Sequence, residues 1–151
     1  MLDDIDRRIL RHFQADPSLS TAELAERCRI SNGVCWRRIE KMQAAGIIQG
    51  QEAVIDWSAM GYAVEVSLRV TLDKTQPRAF DEFTEAARKV PEVIEIQTFL
   101  GRVDVRLSVI ARDMAHYQQV YRDRILTLPH IADIEALMHV ARIKAEEALP
   151  L

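Results

Sequence analysis

Cysteine is scarce in this chain. Cys28 and Cys35 are the only two among 151 residues, too few for a disulfide framework, and a reducing, cytoplasmic setting is the default expectation. No apolar run approaches the ~18 residues that a membrane span requires, so no membrane partner is expected. The opening MLDDIDRR is acidic and amphipathic and does not read as a secretory signal. Histidine is sparse and scattered over His12, His116, His130 and His139. None has zinc-ligand spacing, and neither a G-x-S-x-G elbow nor a phosphate loop is present. These absences leave no catalytic residue, metal site or cofactor to expect, and argue against an enzyme. An excess of one charge is also missing: 20 Lys and Arg stand against 23 Asp and Glu, a net of −3. Taken as an average, that weakly disfavours a nucleic-acid partner; its distribution along the chain says more.

Residues 27–41 hold five basic residues and only one acidic residue, Glu40, a local net of +4. The periodicity around this segment is helical. Leu2, Ile5, Ile9, Leu10 and Phe13 predict an amphipathic helix over 3–15, ended by Asp16-Pro17-Ser18. Ser20-Thr21-Ala22-Glu23 is a capping box that opens a short second helix with Leu24, Ala25 and Cys28 on its buried stripe. Ser31 is a good N-cap for a third helix running to about Ala45, with Gly46 where a left-handed cap is wanted. This is a helix-turn-helix arrangement. At 100° per residue, Cys35, Ile39 and Met42 share one face of the third helix. The opposite face carries Gly33, Trp36, Arg37, Glu40 and Lys41. An apolar back and a front of long polar side chains are what a helix in the DNA major groove requires. Ser31 and Asn32 lie at its N-terminus, where free N–H groups favour a phosphate. The candidate DNA-binding set is therefore Ser31, Asn32, Gly33, Trp36, Arg37, Arg38 and Lys41, and the partner is double-stranded DNA. Trp36 suits a half-buried surface position as well as a DNA contact. Arg38, at the edge of the buried face, suits a structural ion pair as well as a phosphate. Both cysteines fall on buried faces, as free cysteines commonly do. The segment IIQGQEAVID predicts a small hairpin, the wing of a winged helix, and the period is lost around Asp56–Gly61.

The remainder reads as β-α-β-β-α-β. Val64, Val66, Leu68 and Val70 alternate with polar residues in a first strand. A helix carries Phe80, Phe83, Ala87 and Val90. Ile94, Ile96 and Leu100 predict a second strand, followed by a tight Gly101-Arg102 turn. Val103, Val105, Leu107 and Val109 predict a third strand. Asp113 opens a helix with Met114, Tyr117, Tyr121, Ile125 and Leu128. Ile134, Ala136, Met138 and Val140 form the last strand. VPEVIEI at 90–96 is echoed by LPHIADI at 128–134, so each half ends a helix with X-Pro and enters a strand. Two such halves predict a ferredoxin-like sheet with helices on one face. The fold class expected is α+β: a winged helix-turn-helix over 1–50, a wing and hinge linker over 51–62, and a ferredoxin-like domain over 63–151. Val93, Phe99, Ile110, Ile131 and Leu137 are assigned to the open sheet face, which as an apolar surface would call for a second copy.

In order and spacing, LDDIDRRIL, LAERCRIS, CWRRIEKMQAAGII, VIDWSAMGY and GRVD resemble the Lrp/AsnC, or feast/famine, family of bacterial transcription regulators over nearly the whole chain. The resemblance implies a nucleoid-associated DNA-binding regulator whose second domain dimerises and binds a small effector, typically an amino acid. It also implies assembly of dimers into tetramers, octamers or larger rings. The family's Gly-x-x-Asp turn falls on Gly101, Arg102, Val103 and Asp104. A glycine there lets N–H groups approach a carboxylate, and the Asp could meet an α-ammonium; G-x-x-D is equally a plain hairpin turn. Arg102 and Val103 stand where the family often has an acidic residue and a Tyr. Ile134 and Ala136 stand where it often has hydroxyls on the last strand. Such a turn points to an apolar amino acid or another carboxylate, or to none.

Overall fold

The structure is a computed structural model that describes residues 1–151. It divides into two compact units: residues 1–54 together with 144–151, and residues 55–143.

The first unit holds three helices, α1 (Asp4–Ala15), α2 (Thr21–Cys28) and α3 (Asn32–Ala44). Each start is fixed by a side chain. Asp3 caps α1 through the N–H groups of Ile5 and Asp6, and Asp6 reaches back to the Asp3 N–H. Ser20 and Glu23 form the reciprocal box on α2. Ser31 accepts from the Val34 N–H at 3.3 Å. These groups satisfy donors that a helix otherwise leaves unpaired. Gly46, at φ +72°, closes α3, a conformation that glycine adopts without steric cost. Ile9, Leu24, Ala25, Cys28, Cys35 and Met42 form the core. The two cysteines are free, and burial pushes both thiols up, which keeps them protonated. The chain end belongs to this unit: Gln14 on α1 exchanges two hydrogen bonds with the Leu149 backbone, and Arg11 donates to the Leu151 main-chain oxygen at 2.8 Å.

The hairpin expected over 47–56 does not form. No residue there is in a strand. The N–H groups of Ile47 and Ile48 both turn back to the Met42 carbonyl, and the Gln51 side chain bonds to the Pro17 carbonyl. So short a ribbon, with no third strand and with Ile47, Val54 and Ile55 left exposed, lacks the packing that holds a hairpin together.

In the second unit β1 (Val64–Leu72), β2 (Val93–Thr98), β3 (Val105–Ala111) and β4 (Ile131–Met138) form one antiparallel sheet in the order β2-β3-β1-β4. Helices α4 (Ala79–Ala87) and α5 (Met114–Val120) complete the β-α-β-β-α-β order, and α5 continues into a wider π-helical turn over Tyr121–Ile125. Val66, Leu68 and Val70 of β1 and Val105, Leu107 and Val109 of β3 meet Phe83, Tyr117 and Ile125 in the core. Each large apolar side chain buried there contributes about 1.5–3 kcal/mol.

Four expectations are corrected. Leu100 and Val103 lie outside the strands, in the turn, because β2 and β3 separate after the Thr98–Val105 pair. Val140 follows the end of β4. Val93 and Ile131 pack on the helix-side core, since register places them opposite or beside core positions of β3 and β1. The other face is mostly polar: Glu65, Ser67, Arg69, Arg106, Ser108 and Glu135, with Ile110 and Leu137 among them. It is not the apolar surface expected.

Candidate functional site

The turn between α2 and α3 is built by the backbone. Arg29 adopts a left-handed conformation (φ 55°, ψ 48°). Its N–H and that of Ile30 return to the Glu26 and Ala25 carbonyls. This reverses the chain in a few residues and places Ser31 as the cap of α3. Asn32 and Gly33 are exposed at that start, and no atom lies within 4 Å of where a Gly33 side chain would begin.

Of the front of α3, Trp36 is 53% exposed. Arg37 and Lys41 are exposed and make no ion pair; Arg37 only donates from Nε to the Gly33 carbonyl one turn back, at 3.3 Å. Arg38 differs. Its guanidinium reaches Asp3 at 2.6 Å and Asp6 at 2.9 Å. Both carboxylates belong to the α1 cap, so Arg38 ties α3 to α1 and its charge is neutralised. The Arg38 hydrogen bond, with help from the Asp6 N–H, holds the Asp3 carboxyl down to about 2. Of the two readings open for Arg38, the geometry selects the ion pair. Ser31, Asn32, Gly33, Trp36, Arg37 and Lys41 remain on one accessible surface.

The second candidate lies in the other unit. Gly101, at φ +153°, opens the turn between β2 and β3, a backbone region that side chains disfavour. Beside it is an open concavity of about 580 Å³ lined by Arg69, Gln97, Phe99, Leu100, Gly101, Arg102, Val103 and Arg106. Asp104 faces elsewhere. Its carboxylate accepts from the Leu72 N–H at 2.8 Å and from Lys74 at 3.1 Å, and the Leu72 contact, followed by Lys74, lowers its pKa. It braces the hairpin and is not presented to a ligand ammonium. Ile134 pairs in register with Val70 and packs toward the helices, and Ala136 pairs with Leu68. Neither joins Gly101, Arg102 and Val103. The sequence reading missed Arg69, Gln97, Phe99 and Arg106. The arginines were visible as polar residues of alternating strands, but only the cross-strand register Arg69↔Arg106 brings them together.

Comparison with known proteins agrees with both halves. Residues 2–49 match the family model for a winged helix-turn-helix DNA-binding domain, and residues 65–149 match that for the Lrp/AsnC ligand-binding domain. The chain is 28% identical over 150 residues to a glutamate uptake regulatory protein of Zymomonas mobilis, covering 99% of this chain and 91% of that one. A transcriptional regulator of Neisseria meningitidis, solved as an L-methionine complex, superposes with a TM-score of 0.91 at 27% identity, covering 99% and 97% of the two chains. An AsnC family transcriptional regulator from Agrobacterium tumefaciens gives 0.89 at 32% identity, with the same coverage.

Proposed function

The chain belongs to the Lrp/AsnC family of transcription regulators, and on that premise we propose how its own residues carry out regulated DNA binding. DNA reading falls to residues 1–50, with 51–62 as the connecting segment. The sheet domain that begins at residue 63 serves dimerisation and effector binding. The protein acts by binding rather than catalysis, in the cytoplasm on the nucleoid, as a dimer that can assemble into tetramers or octamers of the same chain. A small carboxylate-bearing effector of the amino-acid kind enters the concavity beside Gly101. It biases DNA binding only so far as it prefers one assembly or conformation over another.

The observation that supports this most is the difference between neighbouring arginines on α3. Arg38 is neutralised by two carboxylates, whereas Arg37 and Lys41 are exposed and unpaired beside Trp36. A front left free in this way is suited to base edges and phosphates. Two such helices in a dimer read half-sites about one helical turn, or a multiple, apart. Arg37→Ala is expected to weaken binding to the protein's own upstream region in a gel-shift assay. If Arg37 reads a guanine, the variant also relaxes discrimination at one position by ~1–3 kcal/mol. Unchanged affinity and preference would remove Arg37 from the interface.

A further inference from the structure

The concavity beside Gly101 carries a charge pattern that the family assignment does not supply. Arg69 on β1 and Arg106 on β3 are directly opposite in register, an arrangement in which like charges repel. Arg102 adds a third guanidinium from the turn. Only Arg106 has an acidic partner, Glu95 at 3.4 Å, and its buried Nε donates to nothing. Arg69 and Arg102 form no ion pair; Glu135 lies opposite Arg69 across the sheet without closing one. No carboxylate lines the cavity, and Asp104 is turned away onto Leu72 and Lys74. The rest of the wall includes Phe99, Leu100 and Val103.

We propose that this pocket takes a small organic dianion, a dicarboxylate with a short carbon skeleton, in preference to a neutral amino acid. The inference rests on the effector reading above and specifies the ligand class at that site. Guanidinium groups bind carboxylates through paired, charge-assisted hydrogen bonds. Two carboxylates relieve the Arg69–Arg106 repulsion and engage Arg102, and the apolar wall covers the carbons between them. A neutral amino acid offers one carboxylate and brings an ammonium into a cavity lined by three guanidiniums, only one of them paired, and by no carboxylate. An inorganic anion would leave the apolar wall unused.

The test is calorimetric titration of the full chain at fixed ionic strength with succinate, L-glutamate, L-methionine, L-leucine and sulfate. Succinate is expected to bind at least tenfold more tightly than L-methionine, L-leucine and sulfate, with L-glutamate, a dicarboxylate that carries an ammonium, between them. Arg102→Gln, on an exposed turn, is expected to reduce that affinity at least tenfold, and Arg69→Gln to do the same. The unliganded melting temperature of each variant shows that it folds. Binding of L-methionine or L-leucine as tight as that of the dicarboxylates would overturn the dianion assignment and leave the effector reading standing. Equal binding of sulfate, or a dicarboxylate affinity indifferent to Arg102→Gln, would likewise overturn it. If none of the five binds, the inference and the effector site fall together, while DNA binding, measured separately, does not.

Discussion

Arg29 shows how a single residue shapes the DNA-reading unit. It holds the α2–α3 turn in left-handed backbone, which costs a non-glycine residue ~1–2 kcal/mol, while glycine returns about 0.5–1 of that through greater freedom when unfolded. The Arg29 side chain is exposed, so little packing opposes its replacement. Arg29→Gly is expected to raise unfolding stability by roughly 0.5–1 kcal/mol, read from the denaturant midpoint. A decrease would mean that the guanidinium makes a contact worth more than the strain. At the same scale, Arg37 and Arg38 are adjacent and chemically identical, yet 100° of helical rotation gives one to solvent and the other to the Asp3–Asp6 pair. Charge counted along a sequence does not distinguish them.

Among the elements, α1 is more than packing for α3. Its N-terminal cap is also the anchor for Arg38, so one carboxylate, Asp3, serves a helix end and an interhelical pair. Its pKa falls from 3.8 to about 2. A depressed carboxyl pKa gives stability that is present above the unfolded value and is lost as pH falls through the folded one. Asp3→Asn keeps a capping oxygen and removes the charge. Wild type is therefore expected to melt higher than Asp3→Asn at pH 5, with the gap closing between about pH 4 and pH 2. A gap constant over that range would show that the ion pair is not its source. The elements with strong local signals are legible in sequence: the Ser20–Glu23 capping box, the Ser31 cap, Gly46 and the alternation of β1; the Asp3–Asp6 box on α1 emerges only in the structure. The wing is not legible, because a short β-prone run without a partner strand says nothing about whether pairing will repay the ordering of its backbone. The spacing of Tyr117, Tyr121 and Ile125 predicts a helix there but does not show that its turn over Tyr121–Ile125 widens to a π-helix. In the turn pocket, local sequence shows Gly101 and Arg102 as a turn, and only the family resemblance groups them with Val103 as effector residues. Arg69 and Arg106 are not legible, since register over some forty residues brings them together. Sequence leaves Asp104 open between a ligand group and a plain turn residue, because it cannot show that the Leu72 N–H and Lys74 already converge on its Oδ2.

For the whole molecule, a net of −3 is an average over unlike parts. The basic α3 region is set against an acidic first helix and a slightly acidic sheet domain, so a lone protomer has little overall attraction for DNA. In the dimer proposed above, two joined recognition helices would overcome this through effective concentration. The attraction is then local and countable. If Lys41 touches one phosphate in each protomer, Lys41→Ala lowers the slope of log affinity against log salt by roughly 2 in the dimer, about 0.9 per contact. A slope equal to wild type would place Lys41 away from the phosphates.

The return of residues 144–151 to α1 has a consequence for how the molecule is made. The first unit is interrupted by the 89 residues of the second, 55–143, and Arg11 and Gln14 must wait for partners about 140 positions downstream. At about 5–20 residues per second, synthesis of that intervening stretch takes roughly 4–18 s. The helix-turn-helix core can form during this interval from local contacts. The seat on α1 for Leu149 and Leu151 stays vacant until the sheet domain has emerged, so the nascent DNA reader becomes complete only after the domain that regulates it.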